Sequence, residues 1–214
     1  MFSPNPAYAC DSAEAVAAFM RQHRFATLVV AGPDGLIAAR TPMLVECDGG
    51  GEVRALRGHV ARANPICAAL SGAREGLALF AGADAYVSPG WYASKTRTGR
   101  AVPTWNYSAA EARGIVSLET GRDPLISVLD ALSDEMEADQ NPPWRRTDAP
   151  PDYIERLLNA IVAVRVEVRE AALVRKLSQD KTQADFTGIA DALAGRTNQI
   201  ARQVAADMNE LPRR

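Results

Sequence analysis

The chain has 214 residues, 47% of them hydrophobic and 23% charged, which is enough apolar side chain to bury a sizeable core at ordinary globular composition. Its formal net charge of −2 excludes an overall positive field that would draw it onto nucleic acid. Cys10, Cys47 and Cys67 stand at no CxxC or Cys/His spacing, so neither a disulfide framework nor a zinc site is indicated. No window approaches the ~18 apolar residues of a membrane span, and no basic start leads into an apolar run, so a cytoplasmic protein is expected.

Asp11-Ser12-Ala13-Glu14 has capping-box spacing, with the Asp11 carboxylate as acceptor, and predicts a helix to about His23 that buries Val16, Phe19 and Met20. Phe25 to Val30 is short, apolar and β-branched. Gly32-Pro33-Asp34-Gly35 is turn chemistry, and Leu36 to Val45 resumes an extended pattern, which reads as a hairpin. Asp48-Gly-Gly-Gly51 turns the chain into a third strand from Glu52 to Leu56, where Val53 and Leu56 can face the core. Arg57-Gly58-His59 ends that strand, and Val60 to Leu70 reads as a helical crossing interrupted near Pro65.

Gly76 to Phe80 and Ala85 to Ser88 read as a strand pair turning at Gly82-Ala83-Asp84, followed by an exposed SKTRTGR loop. Val102 to Leu118 predicts a long strand, with Ala109 to Ala112 a point for a bulge or break. Asp123-Pro124 caps and opens a helix with Leu125, Leu129, Leu132 and Met136 on one face, broken by Pro142-Pro143-Trp144. A helix from Pro151 to Ala160 precedes the alternating strand Ile161 to Val168. Leu173 to Gln179 is a last extended piece, and helices follow around Asp185 to Ala194 and Thr197 to Asn209. Many strands with helices at the start and end argue for an α+β protein, mainly an antiparallel barrel with peripheral helices and a C-terminal helical extension.

The chemistry-bearing residues cluster. Arg57, Gly58, His59, Arg62 and Asn64 stand where strand gives way to helix, and paired guanidinium groups with an imidazole suit an anion. From Ala85 to Tyr107 the chain holds two of its three tryptophans and three of its five tyrosines, interleaved with Ser94, Lys95, Arg97, Arg100 and Thr104. Trp105 and Tyr107 share a strand face, as core, interface or ligand-stacking residues. Lys176 to Lys181 is a polar knot whose Lys176 and Gln179 can act as donors over a site or as a capping turn. No GxGxxG, P-loop, nucleophile elbow or HExxH occurs, no residue is assigned a catalytic role, and any redox chemistry must come from a cofactor.

Four ordered motifs, LRGHVARANP from Leu56, AYVSPGWYASK from Ala85, VPTWNY from Val102 and KLSQDK from Lys176, together resemble the PaiB-type family of FMN-binding negative transcriptional regulators. The resemblance implies a split β-barrel over residues 1–180 with a helical extension over 181–214, and a homodimer like the wider pyridoxamine-phosphate-oxidase-like flavoproteins. It implies an FMN phosphate cradle of Arg57, Gly58, His59, Arg62 and Asn64, with Ser94 and Lys95 as further contacts. The flavin ring would lie against Arg40, Thr41 and Pro42 and against Val102, Thr104 and Trp105, with Lys176 and Gln179 closing the pocket. Relatives often carry His-Leu-Pro at Arg40-Thr41-Pro42, Pro at Ala93 and Asn at Asp180. The function implied is redox sensing or oxidoreduction of a small substrate. The alternatives are a haem enzyme of the piperazate-synthase-like branch, with His59 as axial ligand, and a repressor that binds DNA directly.

Overall fold

The computed structural model describes residues 6–10, 12–33 and 35–211. In chain order its elements are β1 (Ala9–Cys10), α1 (Ala13–Gln22), β2 (Phe25–Gly32), β3 (Gly35–Pro42), β4 (Leu44–Cys47), β5 (Val53–Ala61), α2 (Pro65–Ala69), β6 (Arg74–Val87), α3 (Lys95–Thr98), β7 (Thr104–Glu119), α4 (Arg122–Met136), α5 (Pro151–Asn159), β8 (Ile161–Lys176), α6 (Gln183–Ala194) and α7 (Gln199–Glu210). Contacts divide them into a larger unit, within 12–80 and 111–171, and a smaller one, within 6–10, 81–110 and 172–211.

In the larger unit the strand order is β3-β2-β6-β7-β8-β5-β4. β3 and β4 are one extended stretch interrupted only at Met43. Before it Pro42 pairs with Phe25 of β2, and after it Leu44 pairs with Arg57 of β5. Both ends of the sheet order therefore belong to one bent segment, which closes the sheet on itself and leaves little open edge. The closure is tight. A Cβ at Gly58 would stand 2.6 Å from the Pro42 carbonyl oxygen and 2.9 Å from Met43 Sδ, so only glycine lets β5 approach the bend this closely. Thr41 Oγ1 adds a hydrogen bond of 2.5 Å to the carbonyl oxygen of His59.

Inward residues alternate as a half-buried strand requires: Ala26, Leu28 and Val30 on β2, and Val162, Val164, Val166 and Val168 on β8. α1 covers the core with Val16, Phe19 and Met20, as the sequence predicts. Leu125, Val128 and Leu132 of α4 pack with Leu44, Leu158 and Ala163. Arg57 fastens the start of α4, donating from Nε to Glu119 at 3.0 Å and from Nη2 to the Pro124 carbonyl at 3.2 Å.

In the smaller unit α6 and α7 pack with the end of β6 around Val87, Tyr92, Phe186, Ile189, Val204 and Met208. Side chains of Thr182 and Asn198 cap the two helices. β1 pairs with the end of β8, Ala9 opposite Val174.

Several local expectations change. Ser12, not Asp11, caps α1, accepting from the Ala15 amide; Asp11, like Asp34 of the predicted turn, lies outside the described residues. β5 runs on to Ala61, so Arg57-Gly58-His59 sit inside the strand, paired to Arg165, Val164 and Ala163. The predicted crossing helix shrinks to α2, in which Pro65 opens the helix instead of interrupting it, because Asn64 Oδ1 caps Ile66 and proline's fixed φ suits a first turn. β6 runs unbroken through Gly82-Ala83-Asp84, since Gly82 does not adopt the positive φ a turn there would use. β7 stays extended across Ala109 to Ala112, where burial of Ala110 and Ala112 outweighs their helical propensity. β8 continues to Lys176, so the separate extended piece from Leu173 is its tail. The SKTRTGR loop holds the short α3, stopped by Gly99 at φ 64°. Gly121 occupies the N-cap of α4 with Asp123 in its first turn, and Met136, at the helix end, is 53% exposed.

The Gly58 contact yields a direct test: Gly58→Ala lowers unfolding stability by roughly 2–3 kcal/mol through overpacking, while Gly49→Ala, with nothing within 4 Å of the added methyl, changes it little. Urea denaturation of both variants measures the difference.

Candidate functional site

The strand-to-helix passage of the larger unit carries most of the predicted anion chemistry, and its donors are in very different states. The Arg57 guanidinium is engaged by Glu119, by Pro124 and, at 3.5 Å, by Glu46, so it acts within the barrel wall. Arg62 is exposed; its Nε donates to the Asn159 carbonyl at 3.0 Å. Asn64 uses its carbonyl oxygen to cap α2. Arg40 lies over the Phe25 ring at 4.6 Å, and Thr41 is buried with its hydroxyl on His59. Pro42 supplies the carbonyl that faces Gly58.

His59 is the anomaly of this group. Its Nδ1 is buried and makes no hydrogen bond among the described residues, and burial lowers the imidazole pKa below its ordinary value, which keeps the ring neutral at pH 7. An orphaned buried nitrogen is costly to leave unpartnered, so it marks a place where a bound group would complete the bonding.

The smaller unit holds a cavity of ~320 Å³. Lys176 reaches it from the end of β8 and donates to Thr104 Oγ1 at 2.5 Å and to the Trp105 carbonyl at 2.7 Å. Burial lowers the Lys176 pKa. Opposite it, Asp185 of α6 accepts from both the amide and the hydroxyl of Ser94, each at 2.8 Å. The Ser94 amide is the foremost cause that holds the Asp185 carboxyl below its ordinary value. Ser178, at φ 62° and buried, donates to Asn106 Oδ1 at 2.9 Å and fixes the floor in a conformation that costs energy. Lys181 pairs with Asp180 at 2.8 Å. Tyr8 and Tyr92 also line the cavity, and burial raises both phenols, so they remain O–H donors.

Of the residues predicted in this unit, the cavity brings together Ser94, Val102, Thr104 and Lys176. Lys95 and Trp105 lie outside its lining, Trp105 edge-on to Tyr86 at 6.2 Å between ring centroids. Gln179 is engaged by the chain itself, through Leu177 N at 2.7 Å and the carbonyls of Arg175 and Ala7. Sequence reasoning missed Tyr8 and Asp185. The Thr182-x-x-Asp185 cap spacing points to an acidic residue in the first turn of α6, but its reach to Ser94, 91 positions away, is set by the fold alone.

Residues 1–170 match the family model described as a "Putative FMN-binding domain". The protease synthase and sporulation protein PAI 2 of Bacillus subtilis is 27% identical over 199 residues, covering 93% of this chain and 92% of that protein. An uncharacterised protein of Aspergillus fumigatus is 30% identical over 187 residues, 72% of each chain. Among solved structures, the flavocytochrome Anf3 of Azotobacter vinelandii superposes with a TM-score of 0.59 at 15% identity, covering 86% of this chain and 77% of that one. The FAD and haem binding protein of Mycobacterium smegmatis does so with 0.57 at 16%, covering 79% and 73%. These likenesses show the fold, an α+β split barrel with a mainly antiparallel sheet.

Asp185 generates a stability prediction. Because its folded-state pKa is depressed, its contribution is present above the ordinary value of 3.8 and is lost as pH falls through the lower folded value. Asp185→Asn destabilises the fold at neutral pH by about 1–3 kcal/mol, since the two Ser94 donors lose a charged acceptor. It also flattens the acid limb of a stability-against-pH curve measured by chemical denaturation.

Proposed function

The chain belongs to the FMN-binding domain family, FMN is the cofactor that membership assigns, and we propose that it is a homodimeric cytoplasmic flavoprotein that senses redox state or exchanges electrons with a small substrate. The observation that carries the reading is the buried, partnerless His59 Nδ1, on the same passage as the outer guanidinium nitrogens of Arg62 and the side-chain amide of Asn64. Guanidinium forks suit a phosphate ester, so Arg62 takes the phosphate side in place of the engaged Arg57. Arg40, Thr41 and Pro42 form the ring-side wall contributed by β3. In the smaller unit Ser94 and Thr104 line the cavity, and Lys95, Val102 and Trp105 are exposed.

When bound, FMN supplies hydride and single-electron chemistry that these side chains lack. The protein's own part is to hold the phosphate, to keep the His59 imidazole neutral, and to limit water at the closure. A regulatory output, as the PaiB-type resemblance implies, then rests on flavin redox state; with a net charge of −2, direct contact with DNA has no electrostatic support.

Haem is the second reading, favoured by the same neutral imidazole, which suits an axial ligand, and by the haem that the mycobacterial neighbour binds. It requires a Soret band that His59→Ala removes.

Titration of the flavin-free chain with FMN, followed by quenching of flavin fluorescence, tests the proposal. FMN binds saturably, riboflavin binds on the order of tenfold more weakly for want of the phosphate, and Arg62→Ala narrows that gap. Sedimentation gives twice the mass of one chain. A folded chain that takes up no FMN overturns the reading.

A further inference from the structure

Lys176 is a half-buried ammonium that makes no ion pair among the described residues; Asp180 of the same cavity acts on it only at a distance. The hydrogen bonds of Lys176 go to two neutral acceptors, Thr104 Oγ1 and the Trp105 carbonyl. The carboxylates of the same cavity are otherwise engaged: Asp185 by the amide and hydroxyl of Ser94, and Asp180 by Lys181 at 2.8 Å and by the Tyr8 hydroxyl. A desolvated charge lacking its partner is costly, and burial already works against the charged form here. An anion arriving in the cavity would remove that cost and meet the third N–H of the ammonium.

Resting on the flavoprotein reading, we infer that this cavity receives the carboxylate of a small substrate, with Lys176 as its counter-ion. The charge balance selects a single negative charge. Arg100, Lys176 and Lys181 face Asp180 and Asp185, which leaves one positive charge in excess and suits a monoanion better than a phosphate dianion. The remaining wall decides the rest of the molecule. Val102, Pro103 and the rings of Tyr8 and Tyr92 offer apolar surface, so the carboxylate is attached to an apolar body. Tyr92 keeps its proton, which adds an O–H donor beside the ammonium, while the Tyr8 hydroxyl is spent on Asp180. A volume of ~320 Å³ lies at the low end of small-molecule pockets, which limits the ligand to a compact one. Ser178, held at φ 62° against Asn106, makes the floor rigid in advance of binding.

The test uses the full chain loaded with FMN, titrated calorimetrically with benzoate, with neutral benzamide and with inorganic phosphate. Benzoate binds saturably and more tightly than either of the others. Lys176→Met weakens benzoate by at least about tenfold, the loss expected for an ion pair in a partly desolvated site, and leaves FMN content unchanged. Lys176→Gln, which retains a neutral donor for Thr104 and Trp105, shows the same loss and guards against a Met variant that fails to fold. Four results overturn the inference: no saturable benzoate binding, benzamide binding as well as benzoate, phosphate binding more tightly than benzoate, or variants that keep benzoate and lose FMN. The last would assign Lys176 to the cofactor. FMN content is read separately from released flavin, so a chain devoid of flavin counts against the flavoprotein reading while the benzoate isotherm of that chain still judges the cavity.

Discussion

The bend at Met43 is the constraint from which the larger unit follows. By turning one extended stretch from β2 to β5, it closes the sheet, and it does so only because Gly58 lets the Pro42 carbonyl come within a distance no side chain would tolerate. The same approach brings Thr41 onto the His59 carbonyl. The closure and the buried, unbonded His59 Nδ1 thus lie on one strand. The second is the feature that a cofactor would complete.

The period-2 strands, the apolar face of α1 and the alternation of valines in β8 were legible because burial on one face leaves a local pattern in the sequence. Strand lengths were less so. Gly82-Ala83-Asp84 carries turn composition, yet it lies within β6, and Ala109 to Ala112 favours helix locally, yet packing holds it in β7. In both places tertiary context overrode weak local preference. Pro65 is the opposite case. Its local chemistry was decisive, but as the first residue of α2 and not as an interruption.

Motif order marked the candidate regions, while partnership sorted their residues. Arg57 and Arg62 look alike in the sequence, but Glu119 and Glu46 stand beside the first and a backbone carbonyl beside the second. Those acids lie 62 and 11 positions from Arg57, and only the fold puts them there. Gln179 likewise has the chemistry of a ligand donor and is engaged by the turn that follows β8. In the smaller unit the reverse holds: Tyr8 and Asp185 gave no signal that they share a cavity with Ser94, Thr104 and Lys176. Pairing by distant residues separates the groups that hold the fold from those free to hold a ligand.

The central claim is that this barrel carries a redox-active flavin, and the absorption spectrum of the untreated purified protein bears on it most directly. The account predicts the visible bands of oxidised flavin, bleached by a reductant and restored by air. A spectrum dominated by a Soret band, or a colourless protein whose spectrum is unchanged after incubation with FMN and removal of the excess, would contradict it.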